Sequence, residues 1–168
     1  MGLFKKTEVK TLKNRIEDFF RQINYKYQIM DETESKTIIK TGIVLSIGNT
    51  DGYIVIHHML NLVEVLSYAP VHVPDNKRME VSKLFDFADG STYIGNINLN
   101  HETGEIRCKS YFKYSNEHLD TEIIKDNFFE CFNVLDRFVP AAMRIVYGCV
   151  SAETAFAEVS GRVNPSDN

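Results

Sequence analysis

Apolar and polar positions along the chain change period several times, and each change marks an element. Over residues 9–24, Leu12, Ile16, Phe19, Phe20 and Ile23 form one stripe at helical spacing, with Lys13, Arg15, Glu17 and Asp18 around the rest. This predicts an amphipathic first helix. Residues 25–36 are mostly polar and read as a connector ending in the acidic run Asp31-Glu32-Thr33-Glu34. Residues 37–47 read as a strand. Ile43, Leu45 and Ile47 share a face and Val44 lies opposite, which predicts a strand covered on both sides. Gly48-Asn49-Thr50-Asp51-Gly52 reads as a turn. A second strand returns over 53–58, and a third follows over 62–67 after a weaker break at Leu60-Asn61. Short links make the three a meander.

The segment Pro70-Val71-His72-Val73-Pro74 is extended, because the residue before a proline avoids the helical region. Pro74 suits the first position of a second helix, whose stripe is Val81, Leu84, Phe85 and Ala88 and whose end is Asp89-Gly90. Residues 92–114 then alternate with period two. Tyr93, Ile97 and Leu99 face one way, and Asn96, Asn98 and Asn100 the other. After a glycine-ended loop, Ile106, Cys108, Ser110, Phe112 and Tyr114 alternate with Arg107, Lys109, Tyr111 and Lys113. This is a hairpin with one apolar face and one polar, locally basic face. Asp120 is placed to cap a long third helix with its stripe at Ile124, Phe128, Cys131, Leu135 and Phe138. Pro140 breaks or kinks it, and 141–147 can carry it on to Gly148. Ser151 opens a short final helix, and 160–168 reads as a polar, disordered tail after a single domain over 1–159. The order is helix, three strands, helix, two strands, helix: an α+β arrangement on an antiparallel sheet.

Those stretches resemble a known family. The segment YAPVHVPDNKRMEVSKLFDFADG, the hairpin TYIGNINLNHETGEIRCKSYFKY and the helix FFECFNVLDRFVPAAMRIVYG are similar to the YbjN family, which has the fold of the type III secretion chaperones. The resemblance covers roughly 9–148, and the SAETAFAEV extension lies outside it. It implies a small, acidic, non-enzymatic, protein-binding molecule. The secretion chaperones are dimers that hold an extended partner chain along their sheet and grooves. The YbjN branch carries a suggested link to regulation.

Composition changes this picture little. The 168 residues are 43% hydrophobic and 25% charged, as in ordinary soluble domains. A formal charge of −4 argues against nucleic acid or an anionic membrane as the main partner. No apolar run approaches the roughly 18 residues of a transmembrane helix, and the N-terminal stretch lacks a signal-peptide core. Cys108, Cys131 and Cys149 each sit in or beside an apolar run and read as reduced core residues of a cytoplasmic protein.

Catalytic signals are weak. His57 and His58 are neighbours in a strand and point to opposite faces, so they cannot share a metal ion. His72, His101 and His118 fall in turn-like segments and read as solvated. The acidic run lacks the alternating donors and central glycine of a calcium loop. No phosphate loop, nucleophile elbow or cofactor motif is present. Neither a cofactor nor a metal is expected.

The polar face of the hairpin, with Asn96, Asn98, Arg107, Lys109, Tyr111 and Lys113, is the candidate working surface. A plain solvated sheet face guarded by charge is the simpler reading of it. The functional reading is docking of an unidentified protein partner, an extended segment added to the sheet, on a homodimer built through the second helix and the first hairpin strand. Two other readings stand beside it: an enzyme assembled from distant residues, such as His57 with an acid, and a nucleic-acid binder using the basic face. One aromatic, Tyr111, makes that face a poor stacking platform.

Overall fold

The computed structural model describes residues 11–115 and 120–161. Predicted features at His118, at the N-terminal ten residues and over 162–168 lie outside them. Helix α1 (Leu12–Gln22) leads into four strands: β1 (Tyr27–Glu32), β2 (Lys36–Leu45), β3 (Gly48–His57) and β4 (Leu62–His72). Helix α2 (Arg78–Asp89), strands β5 (Asn96–Leu99) and β6 (Glu105–Lys113), and helices α3 (Thr121–Gly148) and α4 (Ala152–Val159) follow. The strands form one sheet in the order β1-β2-β3-β4-β6-β5, antiparallel at every pairing. The α+β class and the antiparallel sheet expected from the sequence are those observed.

The helices pack on one face of this sheet, and α3 lies across β4 and β6. From the strands, Ile39, Ile54, Ile56, Val63, Val65, Ile97 and Ile106 enter the core; Ile16, Phe19, Phe20, Phe128, Phe132 and Phe138 meet them from the helices. Phe128 is edge-on to both Phe19 and Phe20, with centroids 5.6 and 5.3 Å away, an arrangement that adds to the burial of the rings themselves. Two small polar residues let α3 approach the sheet closely. Ser67 on β4 donates to the carbonyl of Cys131 at 2.9 Å, and Ser110 on β6 donates to that of Asn127 at 3.4 Å. The two carbonyls are one helical turn apart. No buried side-chain nitrogen or oxygen among the described residues lacks a partner.

Several elements differ from the sequence expectation. The polar connector contains β1, an edge strand in which Tyr27 stacks on Phe20 while Gln28 and Met30 are exposed. An edge strand has only one pairing neighbour, so its apolar signal is thin. Gly48-Asn49-Thr50-Asp51-Gly52 is strand, and the turn is Ser46-Ile47. Gly52 is there for packing: a Cβ would run into the Phe132 ring. The Ser46 amide and hydroxyl both donate to Asp136 of α3, at 2.8 and 2.6 Å, so α3 also fixes that turn. Val44 is 78% exposed, so the outer end of β2 is not covered on both sides.

At the other end of the sheet, β5 begins only at Asn96, because Gly95 at φ +84° turns the chain and leaves Tyr93 wholly exposed. Pro74 precedes a 3-10 turn over Asp75–Lys77 and not the helix itself. Pro140 does not end α3: it sits on the solvent side, where water can serve the freed carbonyl, between buried Phe138, Val139, Ala141 and Ala142. The caps at Asp120 and Ser151 are as predicted. Cys108 and Cys131 are buried as expected, but Cys149 is exposed, at the left-handed C-cap of α3.

Candidate functional site

Because the helices take one face, alternate residues of every strand fill the other, and no element covers them among the described residues. The registers arrange these residues in rows across the sheet. One row runs Asp31, Ile38, Val55, Glu64, Tyr111; the next Gln28, Lys40, Tyr53, Leu66, Lys109, Asn96; a third Asp51, Tyr68, Arg107, Asn98. The middle of this open face is apolar. Ile38, Tyr53, Val55, Leu66 and Tyr68 line a shallow concavity of about 520 Å³, with Asp51 and Glu105 at its margin. Val55 is only 9% exposed although it points away from the core. Tyr53 and Tyr68 meet edge to face at 5.7 Å, and the Lys40 ammonium lies 5.6 Å from the Tyr53 ring centre while pairing with Asp51 at 3.0 Å.

The six residues singled out from the sequence do share this open face, on its β6–β5 side. Arg107, Tyr111 and Lys113 are exposed, and no ion pair holds Arg107 or Lys113 among the described residues. Asn98 is exposed beside Arg107. Asn96 is exposed too, and its amide reaches the Asp89 carboxylate. Lys109 is different: its ammonium is 3.1 Å from Glu64, whose other oxygen is 3.3 Å from His57 Nε2. The basic face is therefore partly neutralised from within. Burial works to raise the Glu64 carboxyl, but hydrogen bonds from Lys109 and His57 together outweigh it and hold the group below the usual range.

His57 does meet an acid here, as the enzyme reading required. That acid is held ionised by Lys109 and is a weak proton acceptor, so the trio is better suited to fixing strands than to moving protons. His58 turns the other way and shares a 2.9 Å hydrogen bond with Thr37. His101 is exposed, as expected, and shares a 2.9 Å hydrogen bond with Ser82 of α2. No group of three or more potential metal ligands occurs among the described residues.

The five residues of the apolar floor were not singled out from the sequence. Their signal was present: Ile38 beside Ile39, and Tyr53 through Ile56 without a polar break, mark strands apolar on both faces. The two edges of the sheet also differ. The outward Ile97 amide of β5 donates to Asp89 at 2.8 Å and α2 lies alongside, so that edge is closed. Burial raises the Asp89 carboxyl, against the pull of the Ile97 amide. Strand β1 is paired on its β2 side alone and carries a bulge between Ile29 and Asp31. Helix α2 is itself half covered: Phe156 of α4 packs on Phe87 at 5.5 Å, and Glu80 accepts the Ala152 amide at 2.8 Å.

No protein-family model matches the chain, and no curated protein matches it. Among solved structures it is similar to a chain of the HopA1–SchA chaperone–effector complex, at 9% identity and a TM-score of 0.50, over 75% of this chain and 91% of that one. The fold is thus chaperone-like. No helix of the described residues is long and apolar enough to cross a membrane.

Proposed function

We propose that this chain is a non-enzymatic, protein-binding module that takes an extended segment of a partner across the open face of its sheet. The observation that carries this reading is the apolar floor of Ile38, Tyr53, Val55, Leu66 and Tyr68 on a face that no helix among the described residues covers. An extended segment suits a shallow trough on a sheet, since alternate side chains can enter the floor while the others meet the rim. The rim offers both signs, with Arg107 and Lys113, in no ion pair among the described residues, on one side and Glu105 on another. Asn98 and Tyr111 extend the contact toward β5.

The chaperone-like fold supports this reading. Membership of the YbjN family, a cytoplasmic setting, a single domain over 1–159 and a homodimer belong to the same proposal. With α2 and β5 engaged inside the protomer, the second copy would join through β1. Nucleic acid is the weaker alternative, because Lys109 is committed to Glu64.

The test is site-specific photocrosslinking in cells, with a photoreactive residue at Leu66 on the floor and, as control, at Lys83 on α2. Recovery of one partner segment from position 66 and not from 83 is the expected result. Equal recovery from both positions, or none from 66, removes the reading.

A further inference from the structure

Cys108 and Cys131 come from distant parts of the chain, and the fold brings them together at the centre of the β6–α3 interface. Three observations place them. Cys108 pairs across the sheet with Ser67, and the Ser67 hydroxyl donates to the backbone carbonyl of Cys131 at 2.9 Å. A Cβ built on Gly95 would touch both residues, 3.0 Å from Cys108 Sγ and 3.9 Å from Cys131 Cα. The Cys131 thiol points at the sheet, 3.7 Å from the Val65 carbonyl.

We propose that Cys108 and Cys131 are a preformed dithiol that a peroxide or a disulfide-exchanging oxidant closes into an intrachain disulfide, linking β6 to α3. One connecting segment packs directly against the pair. It is the segment between α2 and β5, where Gly95 takes a left-handed φ of +84° that a side chain would strain. That segment is held by Thr92 Oγ1 to Gly95 O at 3.2 Å and by the Ser91 amide and hydroxyl to Ala88 O at 2.9 and 2.8 Å. Local opening there exposes the sulfurs without unfolding the sheet. Gly95 thus has two roles: it turns the chain out of β5 and leaves room above the Cys108 sulfur.

The two thiols are not equivalent. A hydrogen bond from Cys108, with help from Ser110, draws the Cys131 thiol below its ordinary value despite burial, whereas the same contact and burial push Cys108 up. With hydrogen peroxide, the thiolate of one cysteine of the pair attacks one oxygen, the O–O bond breaks, and a sulfenic acid forms as hydroxide leaves and takes up a proton. The other sulfur then displaces the sulfenic hydroxyl as water, giving one S–S bond and two waters from two thiols and one peroxide. Cys149, exposed and on the far side of α3's end, takes no part.

The experiment treats the folded full-length chain with hydrogen peroxide or diamide, quenches, denatures, alkylates free thiols, and measures the intact mass and the non-reduced peptides. The expected product carries one alkyl group, has lost two hydrogens, and gives a Cys108–Cys131 linked peptide. Cys149→Ser should give the same linked peptide with no alkyl group, and Cys131→Ser should give none. Three alkylated thiols after oxidation, or a product linked only through Cys149, overturns the proposal. So does a link that forms in denaturant but not in the folded protein.

Discussion

The two faces of the sheet differ in what their apolar residues do. On the helix side, Ile54, Ile56, Val63 and Val65 are wholly buried against α1 and α3 and define the fold. On the open side, Ile38, Tyr53, Val55 and Leu66 sit in β2, β3 and β4, yet among the described residues only one another and the rim shelter them. A sheet that needed only to be soluble would carry polar residues there. Apolar area kept on an open face costs solubility and contributes little to stability, and the proposed docking of a partner segment gives it a role.

The comparison is broken most severely from the helix side. Phe128→Ala removes the ring at the meeting point of Phe19, Phe20 and Phe132, and should cost about 3–5 kcal/mol in denaturant unfolding. Gly52→Ala pushes a methyl into Phe132 and should cost about 1–3 kcal/mol through overpacking. A loss below about 0.5 kcal/mol in either would mean that α3 does not seat on the sheet as described.

A smaller, pH-dependent effect sharpens the view from the open side. The folded Glu64 carboxyl titrates below its ordinary value of 4.5, so its pairing stabilises the fold above that value and is lost as pH falls through the folded one. Wild-type stability should therefore decline over that acid window more steeply than that of Glu64→Gln. At neutral pH the variant should differ by less than about 1 kcal/mol, because the group is partly exposed. Parallel acid titrations by circular dichroism would show it, and superimposable curves would count against the Lys109–Glu64–His57 trio.

The helix side of the molecule was nearly all legible in the sequence. The stripes of α1, α2 and α3, the caps at Asp120 and Ser151 and the alternation of β6 follow from periodicity, because burial on one face writes a regular pattern. Less legible were the places where tertiary contact overrides local preference. Gly48 and Gly52 look like turn residues, but Phe132 from the distant α3 explains Gly52. Pro140 looks like a stop, yet the buried residues on both sides carry the helix through it. Strand β1 has one neighbour and one apolar face, too little to stand out among its polar residues.

At the site, the alternation of β5 and β6 identified six residues that do share the open face. It could not reveal that Glu64 from β4 neutralises Lys109, since that pairing depends on β4 lying beside β6. Nor did it single out the floor, which takes one residue or two from each of three strands: the meander was expected, but the register that sets these residues side by side was not.

The most direct test of the central claim is a single variant read in two ways. Leu66→Glu places a charge on the floor without touching the core. The unfolding free energy should change by no more than about 1 kcal/mol, the span of strand preferences, while photocrosslinking from a neighbouring floor position, Tyr53, to the partner segment is lost. A variant that keeps both its stability and its crosslink would contradict the account, because the apolar floor would then be neither structure nor binding site.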